Sequence, residues 1–369
     1  MRINRLLPVL ALVAALAFVV AACGDSDDST SNSGSAASDS GSQEVSGNIA
    51  GAGSSAQDAA MQAWIAGLQS TSPDATVSYD PVGSGGGREQ FVSGGVDFAG
   101  SDSPLEDDEL SGAQQRCGGP DNLVEIPVYI SPIAIIYNLE GVDNLQLSPE
   151  TAAKIFAQKI TNWNDPAIAK DNPGTKLPDQ RISPVNRSDE SGTTENFTDW
   201  LSQNAPKVWT YEPDGNWPVK GGEAAEGTSG VVDAVKNGKG TIGYADESQA
   251  RELGIAKIKV GSEYVGPSAD AAAAVIDKSQ ESNDEGKYVF TYKVDRTVEG
   301  TYPIALVSYQ IACTKYDSAD KGKLVKALES YIVSTEGQDA AAKNAGSAPI
   351  SDSLRQKIQP AVDAIGSGS

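Results

Sequence analysis

Four glycine- and serine-rich stretches carry the most distinctive chemistry of this chain: Gly53-Ser-Ser-Ala56, Gly83-Ser-Gly-Gly-Gly87, Gly100-Ser-Asp102 and Arg187-Ser-Asp-Glu-Ser-Gly-Thr193. Each falls where an extended run gives way to a helical pattern. A helix N-terminus presents unpaired N–H groups and about half a positive charge, which suits an anion. Glycine lets a ligand approach the backbone, and Ser and Thr add neutral hydroxyl donors. Arg187 offers a rigid, permanently charged fork for oxygen atoms. One such loop alone reads as a turn and a cap, and Arg187 beside Asp189 as a surface ion pair of little worth. Four together point to a small oxyanion. The pattern G-x-x-x-x-G-K-[ST] is missing, so nucleoside triphosphates are not suggested.

Composition removes most other chemistry. The chain has 369 residues, room for about two domains. It contains no His, which excludes Ser-His-Asp and Cys-His catalysis and His-ligated zinc. The formal charge of −22 argues against nucleic acid and against a polybasic membrane surface. No metal site and no cofactor is expected.

The N-terminus sets the compartment. Arg2 and Arg5 precede the apolar run Leu6 to Val20, and Val20-Ala21-Ala22-Cys23 places a thiol after small residues, so residues 1–22 read as a secretory signal. Cys23 followed by Gly24 resembles a bacterial lipobox, which implies a lipid on the Cys23 sulfur; the other reading is a single-span anchor. Residues 23–46 are the anchor residue and a Ser-, Gly- and Asp-rich tether with almost nothing to bury.

The rest of the chain must position the four loops. Met61, Trp64, Ile65 and Leu68 form one helical stripe with Ser55 as its expected N-cap. Thr76–Tyr79 reads as a strand, Arg88–Ser93 as a helix and Val96–Ala99 as a strand. Ser103-Pro-Leu-Glu106 has capping-box spacing for a further helix, which Asp102 could also cap. Leu123–Asn138 reads as two buried strands broken near Pro132. Ser148-Pro149 starts another helix. Arg181–Asn186 is a strand, Thr194–Leu201 a helix, Val231–Lys236 a helix and Thr241–Tyr244 a strand. Tyr288–Lys293 and Ala305–Ala312 read as strands, and Lys323–Val333 as an amphipathic helix. Strand, small-residue loop and helix recur, which argues an α/β fold with ligands at the carboxyl ends of strands. Cys117 and Cys313 either pair, closing a loop of nearly two hundred residues, or remain two buried thiols.

Several motifs resemble those of the phosphate-binding proteins that serve phosphate ABC transporters. They are Gly51-Ala-Gly-Ser-Ser55, Gly83-Ser84 with Gly86-Gly87, and Val96-Asp-Phe-Ala-Gly-Ser-Asp102. Lys159-Ile-Thr-Asn-Trp-Asn-Asp-Pro-Ala-Ile-Ala-Lys170 with Asn172-Pro-Gly174, Arg187-x-Asp-x-Ser-Gly-Thr193 and Thr241-Ile-Gly-Tyr244 follow in order. The likeness runs from about Gly47 to the C-terminus. It implies a type II periplasmic-binding-protein fold with two α/β lobes, a two-segment hinge and a ligand cleft. Lobe 1 would be residues 47–129 plus 303–369, and lobe 2 residues 130–302. By position, the family's phosphate contacts fall on Ser55, the Ala56 N–H, Ser84, Asp102, Arg187, Ser191, Gly192 and Thr193, with Asp189 orienting Arg187. Asp102 would accept a hydrogen bond from protonated phosphate and so discriminate against sulfate. The family commonly has Thr-Phe where this chain has Ser55-Ala56, which keeps hydroxyl and amide but loses a wall of the pocket. Residues 261–286 resemble nothing specific.

The resemblance implies an extracytoplasmic, membrane-anchored monomer that binds phosphate, passes it to the permease subunits of an ABC transporter and is not an enzyme. Three other readings stand beside it, the last a phosphate sensor or adhesin that delivers no cargo. A secreted phosphate-ester hydrolase would use Ser55 or Ser84 as nucleophile, with Asp or Lys as the base that His cannot supply. The same fold with another oxyanion is the second.

Overall fold

The computed structural model describes residues 44–367 except 106, 251, 283 and 284. The expected signal, Cys23 and nearly all of the tether therefore lie outside the described residues. The core is a ten-stranded sheet whose main path uses eight strands: β1 (Gly47–Gly53), β2 (Ala75–Asp80), β3 (Phe98–Ser101), β4 (Leu123–Asn138), β5 (Ser183–Arg187), β6 (Glu223–Ala225), β7 (Thr241–Asp246) and β8 (Ala305–Cys313). Their spatial order is β2-β1-β3-β8-β4-β7-β5-β6. β1 runs parallel to β2 and β3, and β5 runs parallel to β6 and β7, whereas β4 and β8 are antiparallel to their neighbours on this path. The helices that matter for the site are α1 (Asp58–Thr71), α2 (Ser84–Ser93), α3 (Asp107–Cys117), α4 (Gly192–Asn204) and α5 (Gly227–Asn237).

β4 joins the two halves of the sheet. Its first part, Leu123–Pro132, pairs with β8, and its second, Ile133–Asn138, pairs with β7. The expected break near Pro132 is not there, and one buried strand runs through. Proline removes a ladder donor, so sheets tolerate it at edges and irregularities. Pro132 sits where β4 changes partner, and Pro127 faces Tyr309 beside a register shift in β8. The Val- and Ile-rich run reads as continuous because both faces of the strand are covered.

Local side-chain competition explains the other corrections. Ser55 does not cap the first helix: α1 starts at Asp58 behind Gln57 with no side-chain cap, and in the turn before it Ser54 Oγ accepts from the Ala56 and Gln57 N–H groups. Ser103 Oγ accepts from Arg88 Nη1, and α3 is described from Asp107, later than the spacing at Ser103 suggests. Asp102 is not its cap either, since its carboxylate is bonded elsewhere. α2 starts four residues earlier than its periodicity suggests, at Ser84, and α4 runs on to Asn204. Ser148 does cap Pro149–Phe156, accepting from the Thr151 N–H. Residues 261–286 hold the strand Glu263–Val265, the helix Ala269–Ile276 and the strand Gln280–Ser282. Cys117 and Cys313 are joined in a disulfide with Cα atoms 5.2 Å apart, tying the end of α3 to the end of β8.

Candidate anion-binding site

The carboxyl ends of β1, β3 and β5 release the chain into the loops that carry Ser55, Asp102 and Arg187, as expected for ligand sites of open α/β sheets. The N-termini of α2, α4 and α5 meet the same region. Ser84 Oγ accepts from the Asp102 N–H at 3.1 Å, which ties α2 to the third loop. Thr193 Oγ1 donates to Asp102 Oδ2 at 3.1 Å, which ties α4 to it as well. A side chain at Gly192 would put its Cβ 2.7 Å from the Asp102 Cβ, so only glycine allows α4 to come this close. Ser191 caps α4 through its Oγ, which accepts from the Thr194 N–H. Ser55, Ser84, Asp102, Arg187, Ser191 and Thr193 are all buried, none more than 7% exposed.

Arg187 is not the surface pair its spacing with Asp189 suggested. Its Nε donates to Asp189 Oδ1 at 2.8 Å and its Nη2 to Asp189 Oδ2, which leaves Nη1 for a ligand. The Gly227 N–H also donates to Asp189 Oδ1. Burial disfavours the Asp189 charge, but the bond and charge of Arg187 and the Gly227 N–H outweigh it and hold its pKa below the usual carboxylate range. The guanidinium is therefore fixed by a permanent counter-ion. Asp102 shifts the other way. Burial raises its pKa, and the hydroxyls of Ser308, Ser54 and Thr193 and the Arg187 charge only partly offset this. Ser308 Oγ donates to Asp102 Oδ1 at 2.6 Å. Tyr244 hydrogen bonds with Thr194 Oγ1 at 2.7 Å and accepts from the Arg187 N–H, and burial pushes its pKa up to about 12, so it stays neutral.

Of the residues expected from the sequence, Ser55, Ser84, Asp102, Arg187, Asp189, Gly192 and Thr193 fall into one linked set. The Ala56 amide is already taken by Ser54 Oγ. The hydrolase reading finds no support in the bonds of its nucleophiles. Ser55 Oγ is bonded to the hydroxyl and amide of Thr228, Ser84 Oγ to an amide, and neither to a carboxylate or lysine. Among the described residues no group of three His, Cys, Asp or Glu could hold a metal ion.

Thr228, Ser308 and Arg88 were not foreseen. Thr228 opens α5, and the stretch Gly227-Thr-Ser-Gly230 has the composition of the other four loops, a signal the sequence did carry. Ser308 lies inside a buried strand with nothing local to mark it. Arg88 Nη1 donates to Ser101 Oγ and Ser103 Oγ, on either side of Asp102.

Two parallel strand groups around antiparallel centre strands, with helix N-termini gathered at one end, define a class of α/β binding folds. The profile of the PBP superfamily domain matches residues 38–336, and the chain belongs to that superfamily. Within it the chain belongs to the family of the PstS phosphate-binding proteins. It is 36% identical over 378 residues to phosphate-binding protein PstS 3 of Mycobacterium tuberculosis, covering 99% of this chain and all of that one. It is 33% identical to phosphate-binding protein PstS of Xylella fastidiosa over 72% of each chain. Its fold is similar to that of the phosphate-binding protein from Stenotrophomonas maltophilia, with TM-score 0.65, 20% identity and coverage of 85% of this chain and 93% of that one.

Proposed function

We propose that this protein binds inorganic phosphate outside the cytoplasm and hands it to the permease subunits of an ABC transporter. The observation that carries the reading is the convergence of one buried, carboxylate-fixed guanidinium, one buried carboxylate and the hydroxyls of Ser55, Ser84 and Thr193 on a single region. Phosphate oxygens accept from Arg187 Nη1, from the hydroxyls and from the amides of α2, α4 and α5. A protonated phosphate oxygen donates to Asp102, a bond sulfate has no proton to make near neutral pH. The relatives named phosphate-binding proteins support the same ligand.

Residues 47–129 with 303–369 act as one lobe and residues 130–302 as the other, β4 and the return into β8 being the two crossings. Cys23 carries the lipid, residues 24–46 tether the body, and the protein works as a monomer without catalysis. The test is calorimetry of ligand-stripped protein against phosphate, sulfate and arsenate, in parallel with a chromogenic phosphate ester. Tight phosphate binding, weak sulfate binding and no turnover are expected. Sulfate binding as tight as phosphate, or ester turnover, would overturn the reading.

A further inference from the structure

Arg88 and Glu190 meet at the rim of the site without belonging to it. Arg88 lies on α2 with only 5% of its surface exposed, and its Nη2 donates to Glu190 Oε1 at 2.6 Å. Glu190 follows Asp189 in the loop before α4, and its side chain is 42% exposed. The other two faces of the guanidinium stay on the α2 side. Nε donates to Glu109 Oε2 on α3 at 2.7 Å, and Nη1 donates to Ser101 and Ser103. The backbones interlock at the same place, since the Gly85 N–H points at the Glu190 carbonyl. A Cβ on Gly85 would lie 2.5 Å from the Glu190 carboxyl carbon, so the glycine run of α2 makes room for this carboxylate.

We propose that the Arg88–Glu190 pair is a latch across the phosphate site that sets how fast phosphate leaves. It rests on the phosphate reading and on the two-lobe division above. Gln249 Nε2 and Asn196 Nδ2 also donate across the site, to the Ser55 and Asp102 carbonyls, while the bonds of Ser55 to Thr228 and Asp102 to Thr193 use side chains that also face the ligand. The latch uses none, so it is made whether or not those groups turn to phosphate. Its two ends are unequal in a way that permits opening. When the lobes part, Glu190 passes into water from a half-exposed position, while Arg88 keeps Glu109 and both serines and is never left buried without a partner. The same four-way hold fixes the residues on both sides of Asp102. Opening therefore breaks this ion pair together with the hydrogen bonds across the site and leaves the selectivity carboxylate in place.

The test compares two carboxamides in the full chain. Glu190→Gln removes the partner across the site, and Glu109→Gln removes the partner on the same side. With ligand-stripped protein and radiolabelled inorganic phosphate, Glu190→Gln should speed release about three- to tenfold and change association less than about twofold, because a broken closed-state contact appears in the dissociation rate. Glu109→Gln should alter melting temperature but keep release within about twofold of wild type. Raising ionic strength should speed release from wild type more than from Glu190→Gln. Wild-type release from Glu190→Gln, or equal acceleration by both variants, overturns the latch while phosphate binding stands. A wild type that takes up no phosphate overturns the binding reading first and the latch with it.

Discussion

Replacing Asp102 with asparagine should collapse the preference for phosphate over sulfate. Asp102 is 3% exposed; Oδ1 accepts from Ser308 and Oδ2 from Thr193, and each oxygen keeps lone-pair capacity for a ligand proton. A hydrogen bond from protonated phosphate to this carboxylate contributes about 1.5–3 kcal/mol. Sulfate sets acceptor against acceptor and leaves the carboxylate unpaired by the ligand, at a further cost of about 1–3 kcal/mol. The carboxamide would weaken the first bond and relieve the second repulsion, so the phosphate-to-sulfate affinity ratio should fall by about two orders of magnitude. The shape is kept, and the Ser308 and Thr193 hydroxyls can still bond to the amide oxygen or turn away. Calorimetry of the stripped wild type and Asp102→Asn against both anions at one pH, with thermal melts as a folding control, measures the ratio directly. A ratio that moves by less than about threefold in a folded variant refutes the role given to Asp102.

Three further outcomes are expected. Arg187→Ala should weaken phosphate binding by about 2 kcal/mol or more in the same calorimeter, since it removes a buried charged donor and strands Asp189; near-normal affinity would put the ligand elsewhere. Glu329 is fully buried with neither oxygen bonded, and burial pushes its pKa up to about 8. The unfolded chain ionises it from pH about 4.5 while the folded chain keeps it neutral, so it costs stability increasingly from there to about pH 8. Glu329→Met should therefore stabilise more at pH about 8 than at pH about 5, by about 3 kcal/mol in urea melts; equal gains at both would refute the neutral carboxyl. The Cys117→Ser, Cys313→Ser double variant should lose about 5 kcal/mol of stability on the chain-entropy account for residues 196 apart, with phosphate affinity unchanged; a loss under about 1 kcal/mol would count against that account.

What could be read from the sequence was what is local. The loops of the site announce themselves because glycine, serine and arginine at helix starts have a chemistry independent of their surroundings. The Ser148-Pro149 start is legible for the same reason. Ser55 was assigned to the wrong task because nothing local shows that its hydroxyl meets Thr228, 173 residues away, while the helix starts at Asp58 with no side-chain cap. Ser103 looked like a local cap, yet its hydroxyl accepts from Arg88, fifteen residues back in the chain. The break assigned at Pro132 assumed a sheet interior that needs every N–H, whereas the strand exchanges one neighbour for another there. Ser308 reached Asp102 across 206 residues, a separation that leaves no pattern in the chain. The helices Thr335–Ala345 and Asp352–Ala364 did carry legible caps, Ser334 and Ser351.

The place of β8 between β3 and β4 bears on when this protein can fold. Residues 305–313 fill the middle of the sheet, yet they are among the last fifth of the chain to be made. A ribosome that has not passed them holds a polypeptide whose two central neighbours have a gap between them and whose Cys117 has no Cys313 to meet. Assembly of the sheet therefore waits for synthesis to near its end, as high-contact-order folds require. For a chain whose first residues read as a secretory signal, that delay keeps the polypeptide threadable until most of it has crossed.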